Sequence, residues 1–228
     1  MYESMEDKDK YQFEKIAHFL IDLRFNNERP WFKENKPRYD EVHDLYLTFL
    51  EDLLVEVKKM DPLVTLSAKE SMYRIYRDVR FSKNKEPYKP YFDAFFTRGV
   101  RDEGAGYFVR FQPDSHCLAT GIYCVDNVDL KAIRTAIYKD PERYKEIINN
   151  PLFKEYFPEH IGDRLKLAPK GFPKDFKDID LLKWKKYIVV GDIDNDFWEA
   201  PHVIERIMQR FYVTKTFVDF INEALHKE

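Results

Sequence analysis

The chain has 228 residues, and its 38 Lys and Arg against 41 Asp and Glu leave a net charge of −3, without the basic excess of a protein that coats duplex nucleic acid. A 44% apolar and 16% aromatic composition supplies a large core, and the small number of glycines, seven, argues against disorder outside the termini. No run approaches ~18 apolar residues, and MYESMEDKDK at the start has no apolar segment of the signal-peptide kind. The expectation is a cytoplasmic protein without membrane anchorage: residues 1–10 disordered, 11–228 one domain, and 11–60 a helical hairpin lobe within it.

Phe13, Ile16, Ala17, Leu20 and Leu23 recur at helical spacing and predict an amphipathic helix over 11–25. Asn26 and Asn27 end it, as a left-handed cap would, and Pro30 blocks continuation. Trp31 and Phe32 form an elbow before a longer helix that opens at Pro37 and carries the stripe Val42, Leu45, Phe49, Leu53, Val57 and Met60. Asp61-Pro62 closes this hairpin. Beyond it β-branched and aromatic residues come in short runs between turn residues, predicting strands over 71–77, 91–98, 106–112 and 118–125 with links short enough for antiparallel neighbours. Asp126 or Asn127, Asp140-Pro141 and Asn150-Pro151 announce successive short helices over 128–157, expected to lie across one sheet face. An irregular proline-rich segment follows, then one helical turn over 180–184, a strand over 187–193 and a long terminal helix from Pro201. Strands bracketed by helices, without strict alternation, predict an α+β fold with a mostly antiparallel sheet.

Chemistry-bearing residues concentrate in MYRIYRDVRFSKNKEPYKPY, residues 72–91. Six cations, Arg74, Arg77, Arg80, Lys83, Lys85 and Lys89, face two carboxylates, Asp78 and Glu86, for a local net charge of +4 on a body whose remainder carries −7. Arginine suits planar two-point recognition of carboxylate or phosphate, and lysine acts as a mobile point charge. The segment reads as an anion pocket with Arg74, Arg77, Arg80, Lys85 and Lys89 as ligand-binding candidates and Asp78 and Tyr88 as proton-transfer candidates. If 72–77 is extended, Arg74 shares a face with Met72 and Tyr76, and Arg77 with Tyr73 and Ile75, so a shared ligand requires a turn at Asp78. The competing reading is scaffold: Asp78 pairs with Arg77 or Arg80, and the loop is merely held in place. Lys166, Lys170, Lys174 and Lys177 mark a second positive segment, able to fold over the first.

Other patterns are weaker. Cys117 and Cys124 stand seven apart on one predicted strand, on opposite faces, which disfavours a disulfide. His116 beside Cys117 reads as a partly buried pair at a strand start, and the Cys and His spacings give no zinc signature. Glycines are too few and wrongly spaced for a Walker loop or dinucleotide fingerprint, and no GxSxG elbow occurs. Asp192, Asp194 and Asp196 in GDIDND lack the rest of a calcium loop and read as a solvated turn. No metal and no cofactor is expected.

Leu20, Leu23, Asn26, Asn27, Trp31, Phe32, Asn35, Lys36 and Tyr39, then RIYRDVRFSKNKEPYK, Gly106-Tyr107-Phe108, Ile133-Arg134 and LAPKGFPKD, resemble the domain-of-unknown-function family numbered 2461 over nearly the whole chain. Arg74, Arg77, Asp78, Arg80, Phe81, Ser82, Lys85, Pro87, Tyr88 and Lys89 match its central signature, whereas Phe176 stands where related sequences often have histidine. The resemblance implies a cytoplasmic α+β protein and assigns no catalytic residue. The preferred function is binding of a small phosphorylated or carboxylated anion. The alternatives are an enzyme acting on an anionic substrate, or a structural or interaction protein in which the arginine motif is scaffold. Single-stranded nucleic acid, stacking on Tyr76, Phe81 and Tyr88, ranks below a small anion because the rest of the chain is acidic. No membrane partner is expected, and the oligomeric state is left open.

Overall fold

The computed structural model describes residues 10–80 and 83–226. The expected disordered N-terminus, apart from Lys10, lies outside the described residues, as do Phe81 and Ser82.

The N-terminal apolar stripe forms α1 (Phe13–Phe25), which buries Phe13, Ile16, Phe19, Leu20 and Leu23. Asn26 ends it with a φ of −127°, outside the left-handed region. Its side chain instead donates to the Asp22 carbonyl at 2.9 Å. The Trp31-Phe32 elbow is itself one short helix, α2 (Arg29–Glu34), with Pro30 in its first turn where the missing N–H costs nothing. Then α3 (Lys36–Met60) buries Val42, Tyr46, Phe49, Leu50, Leu53, Val57 and Met60. At its end Asp61, 1% exposed, receives hydrogen bonds from the Arg98 guanidinium at 2.9 Å and the Tyr107 hydroxyl at 3.2 Å. A pair expected only to break a helix thus also anchors a buried ion pair.

The strand expected over 71–77 does not form. Ser67 and Glu70 make a capping box around the single turn α4 (Ala68–Ser71). The chain beyond it is extended but pairs only through isolated bridges, Met72 to Ala94 and Tyr76 to Tyr88. Pro87 and Pro90, which donate no backbone hydrogen bond, leave no continuous ladder on its partner.

Regular strands follow: β1 (Phe92–Thr97), β2 (Gly106–Phe111) and β3 (His116–Ile122). The third ends before the expected 125, where Gly121 takes a φ of +118° and approaches Tyr187 so closely that a Cβ would sit 2.1 Å from its carbonyl oxygen. Next come α5 (Asn127–Lys139), α6 (Pro141–Ile148) and α7 (Pro151–Tyr156), capped by Asp126, Asp140 and Asn150 side chains. A three-residue strand, β4 (Glu159–Ile161), was not expected. A 3-10 turn (Ile179–Leu182), β5 (Tyr187–Ile193), α8 (Asn195–Glu199) and α9 (Val203–His226) complete the chain.

The sheet order is β1-β2-β3-β5-β4 with every neighbouring pair antiparallel, which is the α+β architecture expected. α3 and α9 pack on one face. The short helices α5 to α7 lie chiefly against α9, not on the sheet as expected. Strand pleating sends Phe92, Ala94, Phe96, Tyr107, Val109, Phe111, Leu118, Ile122 and Val189 into this helix-covered core. The other face has a smaller apolar cluster of its own: Ala119, Ile188 and Val190, with Phe108 and Cys117 against it. No helix among the described residues is long and apolar enough to cross a membrane.

Candidate functional site

A cavity of about 600 Å³ lies on this second face of the sheet. Register brings its residues together in cross-strand rows. Asp93, Arg110, Cys117 and Asp192 form one row, and Phe95, Phe108, Ala119 and Val190 the next. Arg110 is held by Asp93 through a two-point fork, Nε to Oδ1 and Nη2 to Oδ2, both 2.8 Å. Its guanidinium lies 4.4 Å above the Tyr91 ring. Burial disfavours the Arg110 cation, but the hydrogen bonds and the negative charge of Asp93 together outweigh it and raise its pKa. Burial also pushes the Cys117 thiol up to about 11, so Cys117, beside Arg110 in this row, is a neutral thiol at neutral pH.

The rim is built by the segment preceding β1. Lys89 and Tyr73 line it, the ammonium 5.5 Å from the Tyr73 ring centre. The Tyr73 hydroxyl donates to Asp102, which closes the far side with Tyr123 and Cys124. Lys89 is half-buried, and among the described residues no carboxylate stands within 4.0 Å of its ammonium. Burial first, then the fields of Arg74, Arg110 and Arg77, hold its pKa below the ordinary lysine value, with Asp93 acting in the opposite direction.

Lys89 is placed there by a clamp. The Asn27 carboxamide donates to the Tyr88 carbonyl and accepts from the Tyr88 N–H, each at 3.1 Å. The Tyr88 ring stacks on Phe32, centroids 4.0 Å apart. Arg77 donates to the same Tyr88 carbonyl at 3.3 Å, pairs with Glu86 at 3.7 Å, and keeps a buried Nε with no partner among the described residues. Backbone bonds from Arg77 to Pro87 and from Lys89 to Ile75 form the stem of the loop between them.

The sequence-predicted residues therefore divide. Of the predicted cations only Lys89 lines the cavity; Arg74 and Arg77 stand outside the lining, close enough for their fields to act on the lysine. Arg80 and Lys85 belong to the loop tip and do not line the cavity: Arg80 is forked onto Asp78 at 3.0 and 2.7 Å, and Lys85 donates to the Val79 carbonyl at 2.9 Å. Asp78, held down to about 2 by the Arg80 hydrogen bonds, and Tyr88, buried on Phe32, are also outside the cavity lining. The second positive segment does not reach this place. Phe172 and Phe176 pack on Tyr138 of α5, and Lys166, Lys170, Lys174 and Lys177 are exposed.

The family model described as "Conserved hypothetical protein (DUF2461)" matches residues 15–220. The chain belongs to this family. An uncharacterized protein of Methanocaldococcus jannaschii, MJ0711, is 26% identical over 131 residues, which is 54% of this chain and 36% of that protein. The chain thus spans about a third of the length of this relative. No solved structure matches the chain.

In this DUF2461 chain the sequence reading missed Arg110 and Asp93. The signal was present: a lone Asp in YFDAFF and a lone Arg in GYFVRF, each breaking an otherwise apolar strand, and a buried carboxylate needs a partner. Cys117 and Cys124 line the same cavity, a correction to the opposite-face expectation, because Cys124 lies beyond the end of β3. Both are free thiols. His116 is a satisfied core residue: Nδ1 accepts from the Gln112 N–H at 3.1 Å and Nε2 donates to Asn195 Oδ1 at 2.8 Å. Among the described residues no three His, Cys, Asp or Glu are placed to hold a metal ion.

Proposed function

We propose that this protein binds a small carboxylated or phosphorylated anion at the rim of the sheet-face cavity, with Lys89 and Arg110 as the lining cations and Arg74 and Arg77 adding their fields from outside the lining. The observation that carries this reading is Lys89: a half-buried ammonium among three arginines, with no carboxylate within 4.0 Å among the described residues. Three cations drawn toward one lysine are mutually repulsive, and a bound anion relieves that repulsion. The cavity volume falls in the range of small-molecule sites. A cytoplasmic location belongs to the same reading, since both cysteines are free thiols, as reducing compartments keep them.

Acid–base roles for Asp78 and Tyr88 gain no support, because neither side chain lines the cavity. The anion-binding reading is therefore preferred to the enzymatic one. Thermal unfolding of wild type, Lys89→Gln and Arg74→Gln with inorganic phosphate, acetate and benzoate, at low and high salt, tests it. A ligand at 100 times its Kd stabilises by ~2.7 kcal/mol. Salt-sensitive stabilisation of wild type, reduced in each folded variant, is the expected result. Stabilisation retained in both variants, or no stabilisation by any anion, would overturn the proposal.

A further inference from the structure

Resting on that anion-binding reading, we infer that the ligand is amphipathic: an anionic head at Lys89 and Arg110 joined to an apolar body lying in the cavity against Phe108, Ala119 and Val190.

The pleat sorts the cavity floor into rows. Asp93, Arg110 and Cys117 share one cross-strand row, and two residues further along the strands lie Phe95, Phe108, Ala119 and Val190. A third row adds Ile188 and Ile161. Rows on one face are two residues apart, so the apolar rows begin ~7 and ~13 Å from the polar one. Across β1, β2, β3 and β5 the two rows beyond the Asp93–Arg110 row carry no charged side chain; Asp102, on the far wall, accepts from the Tyr73 hydroxyl, and Glu159 of β4 stands at the outer end of the Val190 row. Ala119, Ile188 and Val190 form an apolar cluster separate from the main core, so these side chains do no packing for α3 or α9.

Arg110 is built to hold a head group in place. Asp93 occupies its Nε and Nη2 and the Tyr91 ring lies beneath it, which fixes the guanidinium plane and leaves Nη1 without a hydrogen-bond partner among the described residues. Lys89 supplies a mobile point charge beside it. A fully hydrated anion such as free phosphate has no use for the apolar rows. A ligand carrying a ring or an alkyl chain displaces water from them.

The test is a homologous series. Calorimetric titration of the full chain with straight-chain alkanoates from acetate to decanoate, and with alkyl phosphates of matching length, measures affinity against chain length. Each added methylene should tighten binding about fourfold, in both series if only the anionic charge of the head matters, until the chain passes Ile188 and the gain ceases. Lys89→Gln should weaken the whole series by a common factor and leave its slope. Val190→Thr, which replaces a methyl by a hydroxyl, should reduce the slope; Ala119→Ser is the second variant should that one fail to fold. Acetate and phosphate binding without a chain-length dependence would overturn the amphipathic inference and leave the anion site standing. A slope unaffected by either floor variant would also overturn it, placing the body elsewhere. No binding by any member of either series would overturn both readings.

Discussion

Lys89 shows how a single side chain acquires chemistry from its surroundings. Burial and the arginines around it disfavour its charge, and Asp93, the nearest compensating acid, is already engaged by Arg110. Its ammonium should therefore titrate below the other lysines, measured by NMR of ¹³C-labelled lysine ε-carbons. Arg74→Gln, which removes one repulsive field, should move that titration upward. A wild-type Lys89 that titrates with the bulk of the lysines would contradict this account. The linked stability has a definite sign. A lysine with a lowered folded-state pKa binds fewer protons than the unfolded chain between the two values, so stability from this group rises as pH climbs toward the ordinary lysine value. The basic character of residues 72–91 was legible in the sequence; its partition was not. Which of its cations meet depends on the Tyr88 clamp to Asn27, 61 residues away.

Two asparagines tie the loops of this fold down by the same device. Asn27 grips both backbone groups of Tyr88, and Asn222 of α9 grips both of Ala105, accepting at 2.8 Å and donating at 3.1 Å. In each case a carboxamide stands in for a neighbouring strand, satisfying a peptide group that no ladder reaches. Asn27→Ala should cost about 1–3 kcal/mol in urea unfolding, and Asn27→Asp, which can still accept from Tyr88 but not donate, should fall between. An unchanged midpoint in Asn27→Ala would show that the clamp contributes nothing. The elements themselves were readable where periodicity ran long: α1, α3 and the core strands lie close to their expected positions. The exceptions have physical causes. A strand of three residues, β4, has no period to detect, and the extended chain over 72–77 forms only isolated bridges because its partner carries Pro87 and Pro90. The Asp93–Arg110 pair, in turn, depends on the register of a hairpin whose connecting loop takes Asp102 to a φ of +69°, a conformation that composition alone does not foretell.

For the molecule as a whole the acid limb of stability has an identifiable contributor. His160 stacks on Trp184 with centroids 3.6 Å apart, both its ring nitrogens are buried without a well-aligned partner among the described residues, and burial pushes its pKa down to about 4. The unfolded chain binds a proton near 6.5 and the folded one does not, so stability is lost as pH falls from about 6.5 to about 4, by up to ~3 kcal/mol. His160→Phe, which keeps the stack without the titration, should flatten the pH dependence of the urea midpoint over that interval; an identical slope in wild type and variant would refute the assignment. The sheet spans from this edge to the anion rim and divides its two faces cleanly by alternation along each strand. Leu118, Thr120 and Val189 hold the helices, while Cys117, Ala119 and Val190 face the cavity. Substitution can therefore exchange one face residue by residue without disturbing the other. A protein built this way can acquire a new ligand preference through a handful of point changes and inherit its fold unaltered.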